Sequence, residues 1–249
     1  MNPRYGSGIF RRRIRVEHRD GRVVAGLEDP VHACLVSLTH DGHTITHIEA
    51  AWIRNPTRAC VGATRQLPSL AGRLLTASRA EYREYDNPRQ HCTHLHDLLG
   101  LAVAHALRKI PSRQFDVTVP DLKDGSTLAE VSVDGRQILA WHTDLRTVTG
   151  PGDLAGGPIF RGFNQWAAQH YSGDTLEAAH VLQMGIFVAN SQLFDITAVR
   201  AKYPTTPLVQ KHMIGACYAY QPENVPAALP TQNTVRDFTH SADDMLAFL

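Results

Sequence analysis

The sequence predicts an α+β fold in which antiparallel β-meanders pack with helices. Three observations carry this. Short runs of alternating apolar and polar residues are separated by Asp-Gly turns at Asp20-Gly21, Asp41-Gly42 and Asp134-Gly135, the residue pair that tight hairpins favour. The stretch Cys92 to Lys109 carries Leu95, Leu98, Leu99, Ala102, Val103 and Ala106 at three- and four-residue spacing, the period of a helix with one apolar face. The same order, hairpin and then two helices, occurs twice along the chain.

In chain order, Ile9 to Arg19, Arg22 to Leu27, Val31 to His40 and Thr44 to Ile53 read as strands. The basic run Arg11-Arg12-Arg13-Ile14-Arg15 in the first of them reads as a solvated edge. Leu67-Pro68-Ser69-Leu70 reads as a helix start reaching about Ala80, with Pro in the first turn. Glu81 to Gln90, which contains Asn87-Pro88, reads as a loop, and Pro111 ends the Cys92 helix. Phe115 to Val119, Thr127 to Val133 and Gln137 to Thr143 read as strands, followed by a Gly/Pro-rich stretch from Gly150 to Pro158. Phe160 to His170 and Thr175 to Gln192 read as helices, the second with Asp174 as its cap and Glu177 three residues on. Met213 to Tyr220 reads as a strand, and Ser241 to Leu249 as a short helix. Two intimately packed halves, 1–111 and 112–249, and an internal duplication are the expected organisation.

Composition narrows the function. The 249 residues are 43% hydrophobic and 20% charged, enough apolar material for a substantial core. A net charge of +1 gives no reason to expect a nucleic-acid partner. No apolar stretch approaches the roughly 18 residues of a membrane helix, and Met1 to Phe10 lacks the apolar run of a secretory signal. A cytoplasmic protein without a membrane partner is the expectation. A homodimer through an edge strand is the default assembly.

Candidate chemistry gathers on the four cysteines and some of the 14 histidines. Cys92 opens the predicted helix, where free N–H groups favour thiolate over thiol. His96 lies four residues on, counted on the same inward face, whereas His94 points elsewhere. Cys60 follows a strand, in Asn55-Pro56-Thr57-Arg58-Ala59-Cys60. His32 and Cys34 share one strand face with Val36 and Leu38. A packed thiol and a core imidazole fit the same positions. The second half, with no cysteine before Cys217, could shape a pocket from Trp141, Phe163, Trp166, His180, Gln183 and Asn190.

The pieces Pro30-Val31-His32, the Cys60 loop and Cys92-Thr93-His94-Leu95, with Cys217-Tyr218-Ala219-Tyr220 in the tail, resemble a bacterial family of unknown function. The feature order is also similar, more distantly, to iron–sulfur cluster scaffold proteins. That resemblance implies three ligand positions, at His32, Cys60 and Cys92. His32 stands where those proteins have Cys, so the set suits a single Zn or Fe ion better than a cluster. His96 or Cys34 could take the place of His32.

The expectation is therefore a metal-dependent enzyme acting on a small-molecule substrate. Its metal ligands are His32, Cys60 and Cys92, with His94, His96 and His180 moving protons. A metal or iron–sulfur carrier and a metal-free cysteine-dependent or structural protein are the alternatives.

Overall fold

The structure is a computed structural model that describes residues 2–108, 110–207 and 209–249. The chain forms two compact units. The first unit comprises Ile14–Arg113, Thr197–Val235 and Phe248–Leu249; the second comprises Met1–Arg13, Gln114–Ile196 and Arg236–Ala247. Among the described residues no helix is long and apolar enough to cross a membrane.

In the first unit, β1 (Ile9–Arg19, from Ile14 on), β2 (Arg22–Glu28), β3 (Ala33–His40) and β4 (Ile45–Arg54) make an antiparallel sheet ordered β4-β3-β2-β1. The β1–β2 turn places Asp20 and Gly21 at positive φ, 51° and 75°, the conformation a two-residue hairpin requires. Alternation buries Val23, Ala25 and Leu27 of β2, and Cys34, Val36 and Leu38 of β3. Helix α2 (Thr93–Ala106) packs on β2 and β3 and buries Leu95, Leu98, Leu99, Ala102 and Val103. Each Å² of apolar area removed from water in this helix-on-sheet layer contributes about 25 cal/mol.

The second unit sets Ile9–Arg13 of β1 beside β5 (Ser112–Pro120), β6 (Thr127–Val133), β7 (Arg136–Thr143) and β8 (Val148–Gly150), in that order. Asp134 and Gly135 turn the β6–β7 hairpin at φ 50° and 78°. Helix α3 (Phe163–His170) is followed by α4 (Gly173–Ala189), which packs on β6 and β7. A Cβ added at Gly185 of α4 would lie 2.6 Å from Val117 Cγ1, so helix and sheet meet where one side chain is missing.

Several elements depart from the sequence reading. Leu67–Leu70 is a single 3-10 turn. The chain turns extended at Ala71 because Gly72 N–H and Arg73 C=O bond to the backbone of Ile45, at 2.8 and 2.9 Å. The following loop instead holds α1 (Arg79–Arg83), capped by the Ser78 side chain. The expected strand at Met213 to Tyr220 is two 3-10 turns, Lys211–Met213 and Tyr218–Tyr220, separated by Gly215 at φ 77°. The expected terminal helix is one 3-10 turn, Ala242–Asp244, after which Leu246 takes positive φ. Helix α4 starts before Asp174, with Ser172 as the flanking residue; Asp174 sits in the first turn, where a carboxylate suits the helix dipole. The basic run is not a solvated edge. Arg12 is buried, and Arg13 Nε pairs with Asp116 at 2.6 Å.

Candidate metal site

The link Asp29-Pro30-Val31-His32 joins β2 to β3 and folds on its own aspartate. Asp29 Oδ1 accepts from the backbone N–H groups of Val31 and His32, both at 2.9 Å, and Asp29 N–H donates to His32 C=O at 2.9 Å. This is the local turn that Asp favours over regular structure. The same carboxylate lies 3.0 and 3.1 Å from His32 Nδ1. Asp29 is fully buried and His32 nearly so. The turn is clamped from outside by the buried guanidinium of Arg54, which donates to Pro30 C=O, Asp29 C=O and the Glu28 carboxylate at 2.8–2.9 Å.

His94, in the first turn of α2, stacks on His32 with ring centroids 3.9 Å apart and planes 26° apart. One ligand atom from each of Asp29, His32 and His94 lies within 4.8 Å of the others. Oxygen and nitrogen ligands of Zn sit roughly 2.0–2.2 Å from the ion, so these atoms lie near the outer limit of a spacing that one ion could bridge. Such a site is open toward His94, which is only half-buried. The Trp52 and His32 ring centroids lie 6.1 Å apart.

The sequence reading gives His94 and His96 proton-moving roles and sets only His96 on the inward face of Cys92. It counts the helix face from Cys92. Cys92 is extended, at φ −71° and ψ 124°, and the helix begins at Thr93, so four-residue spacing from Cys92 does not define a face. His96 instead packs against Tyr82 and His91, at 4.7 and 5.3 Å between rings. Among the described residues its two buried ring nitrogens have no hydrogen-bond partner, and burial pushes its pKa down to about 4. It is a neutral core imidazole.

The structure does not place Cys60 or Cys92 in the 4.8 Å group. Cys60 lies in the 3-10 turn Arg58–Arg65, its Sγ 3.3 Å from Thr57 Oγ1. Cys92 is buried beside α2, and burial pushes its thiol well above the usual range, reinforced by the neighbouring thiols of Cys60, Cys217 and Cys34. Desolvation therefore opposes the pull of the helix end and disfavours the thiolate. Cys60 and Cys217 are likewise pushed up, chiefly by burial.

His180 belongs to the second unit. Its Nδ1 lies 2.8 Å from Leu176 C=O and its Nε2 3.2 Å from Asn164 Oδ1. Gln183 and Asn190 are spent on backbone carbonyls, Gln183 on Ile159 at 2.6 Å and Asn190 on Leu145 at 3.2 Å. Asp29 was missing from the candidates read in the sequence. Its signal was an aspartate before Pro, three residues ahead of a histidine, at a strand junction.

Residues 12–108 match a family described as Protein of unknown function (DUF2889). The match covers less than half of the chain; it includes the Asp29–His32 turn and the start of α2. No curated protein matches the chain.

Proposed function

We propose that the chain is a metal-dependent enzyme that acts on a small organic molecule at a single Zn or Fe ion ligated by His32 and His94. The observation that carries this reading is the buried Asp29–His32 pair facing His94. A ligating histidine commonly donates its other ring N–H to a carboxylate, which fixes the tautomer and raises ligand basicity. Asp29 is placed to do this at His32 Nδ1, leaving Nε2 for the ion. The ion would act as a Lewis acid toward a carbonyl or a bound water. The protein's own part is to orient: the Arg54 clamp holds the turn, the turn holds His32, and α2 holds His94. The half-buried side at His94 gives a substrate its approach.

The alternatives draw less support. A carrier needs an accessible ligand set, whereas Cys60 and Cys92 are each only 7% exposed. A cysteine nucleophile needs thiolate, and burial favours the thiol at both residues.

The test is elemental analysis of the freshly purified chain beside His32→Ala and His94→Ala. The expected result is about one Zn or Fe per wild-type chain, lost in both variants. Wild-type protein that holds no ion, even after incubation with Zn and Fe under reducing conditions, overturns the proposal.

A further inference from the structure

The Asp29 turn closes one end of the β2–β3 hairpin, and His40 stands at the other end of β3. There two histidines from different strands meet. His18 of β1 and His40 of β3 flank β2, and their Nε2 atoms lie 3.0 Å apart. Each is also tied through its backbone. His40 N–H donates to Gly21 C=O of the β1–β2 turn at 2.9 Å, and His18 N–H donates to Pro111 C=O, beyond α2, at 2.8 Å. His105, in the last turn of α2, stands edge-on to His18 with ring centroids 6.4 Å apart. The imidazoles of β1, of the β3–β4 turn and of the end of α2 thus gather at one corner.

The 3.0 Å separation of the two ring nitrogens fits a shared proton, and the neighbouring turn fixes which ring carries it. Gly42 N–H donates to His40 Nδ1 at 3.1 Å. A backbone N–H can only donate, so Nδ1 is bare and the one proton of the neutral His40 ring sits on Nε2. His40 Nε2–H therefore donates to His18 Nε2, and His18 keeps its own proton on Nδ1. A further proton can enter in two ways. His40 Nδ1 takes it by releasing Gly42 N–H, or His18 Nε2 takes it by releasing His40. The first is favoured, because the cation forms beside Asp41 and its bond to His18 becomes charge-assisted. A second proton leaves two imidazolium N–H groups face to face, and the bond is lost.

We infer that His18 and His40 form a proton-operated latch. It holds β1 to the β3–β4 turn until the pair has gained a second proton, and then lets them part. The charged groups around the pair set the order of the two steps. Asp41 faces His40 and favours the first proton. His43 acts on Asp41 from the same turn. On the α2 side His105 faces His18, and the Arg108 and Arg113 cations that act on His105 add positive charge there, opposing the second proton. The turn itself outlasts the first step, because Asp41 Oδ1 accepts from His43 and Thr44 N–H at 2.9 and 2.7 Å. Solvent supplies both protons, and no covalent bond to a heavy atom changes.

The test is nitrogen-15 NMR of the imidazole rings in the full-length wild-type protein, titrated from about pH 8 to about pH 4.5, across the ordinary range of histidine. His18→Phe is titrated beside it. At the start His40 Nδ1 should read as bare and His40 Nε2 as protonated. The pair should then titrate in two macroscopic steps about one unit apart or more. The Gly42 amide proton should move upfield with the first step, and the ring-to-ring Overhauser contact between His18 and His40 should vanish with the second. In His18→Phe, His40 should titrate in a single step. A wild-type His40 that carries its proton on Nδ1 at the start overturns the inference. So do two rings that titrate independently with the Gly42 amide unmoved, or a ring contact that survives both steps. These readings come from the wild type and need no variant to fold. One equivalent of Zn(II) that shifts both Nε2 signals also overturns the latch, by putting an ion rather than a proton between the rings.

Discussion

At the scale of single residues, Asp29 is the group on which the site depends most. Its buried carboxylate accepts from two backbone N–H groups and faces His32 Nδ1. Removing it strands two buried donors and frees the imidazole to rotate. Each stranded donor costs about 1–3 kcal/mol. Asp29→Ala should therefore lose several kcal/mol of stability in urea unfolding and lower metal affinity about 10- to 100-fold. Asp29→Asn keeps an acceptor for the turn but no charge at His32, so it should recover most of the stability and little of the affinity. Equal recovery of both would mean that Asp29 only shapes the turn. His32 was legible in the sequence as an inward-facing candidate, but its partner was not. The error over His94 arose from one backbone conformation: an extended Cys92 moves the helix start by one residue and turns the face that His96 was expected to share.

At the scale of elements, α2 carries both the site and an electrostatic liability. Its last turn holds His105, fully buried, with its pKa pushed down to about 4 by burial and then by Arg108, His18 and Arg113. The unfolded chain takes up this proton near pH 6.5, whereas the folded chain resists it until about pH 4. Between those values the unfolded state binds more protons, so stability rises with pH. The stabilisation is complete above about pH 6.5 and is lost as pH falls through that window, on the order of 3 kcal/mol in all. The same sign applies to His40, lowered by burial and by His18, whose Nε2 lies 3.0 Å from its own. His105→Leu should flatten the acid limb, measured as the urea midpoint at about pH 7 and about pH 5. An unchanged loss of stability on acidification would place the liability elsewhere. Strands and α2 were readable because their signals are local: alternation, Asp-Gly turns and a helical period. Leu67–Leu70 was misread because what ends it is a backbone bond to Ile45, more than twenty positions away in sequence.

At the scale of the whole molecule, the sequence reading missed the return of the chain. Thr197–Val235 belongs to the first unit although it follows nearly all of the second. Nothing periodic announces it, because it is mostly 3-10 turns and Pro-containing coil. It is held by backbone pairing at Thr57–Pro230, by Arg58 N–H on Leu229 C=O at 2.8 Å, and by Arg54 donating to Thr234 C=O at 3.1 Å. Arg54 therefore clamps both the Asp29 turn and the tail. This coupling gives a test of whether the tail guards the thiols. Ala228 is fully buried in the cluster around Cys60. An aspartate there would carry an unpaired charge, whose burial costs several kcal/mol, more than a locally docked segment can absorb, so the tail should detach rather than bury it. Ala228→Asp is expected to leave helix content nearly intact. It should speed reaction of Cys60 with an aromatic disulfide reagent by at least about ten-fold, the factor that about 1.4 kcal/mol of local opening supplies. Cys60 reacting as slowly in the variant as in the wild type would show that the β4 turn, not the returning tail, shields it.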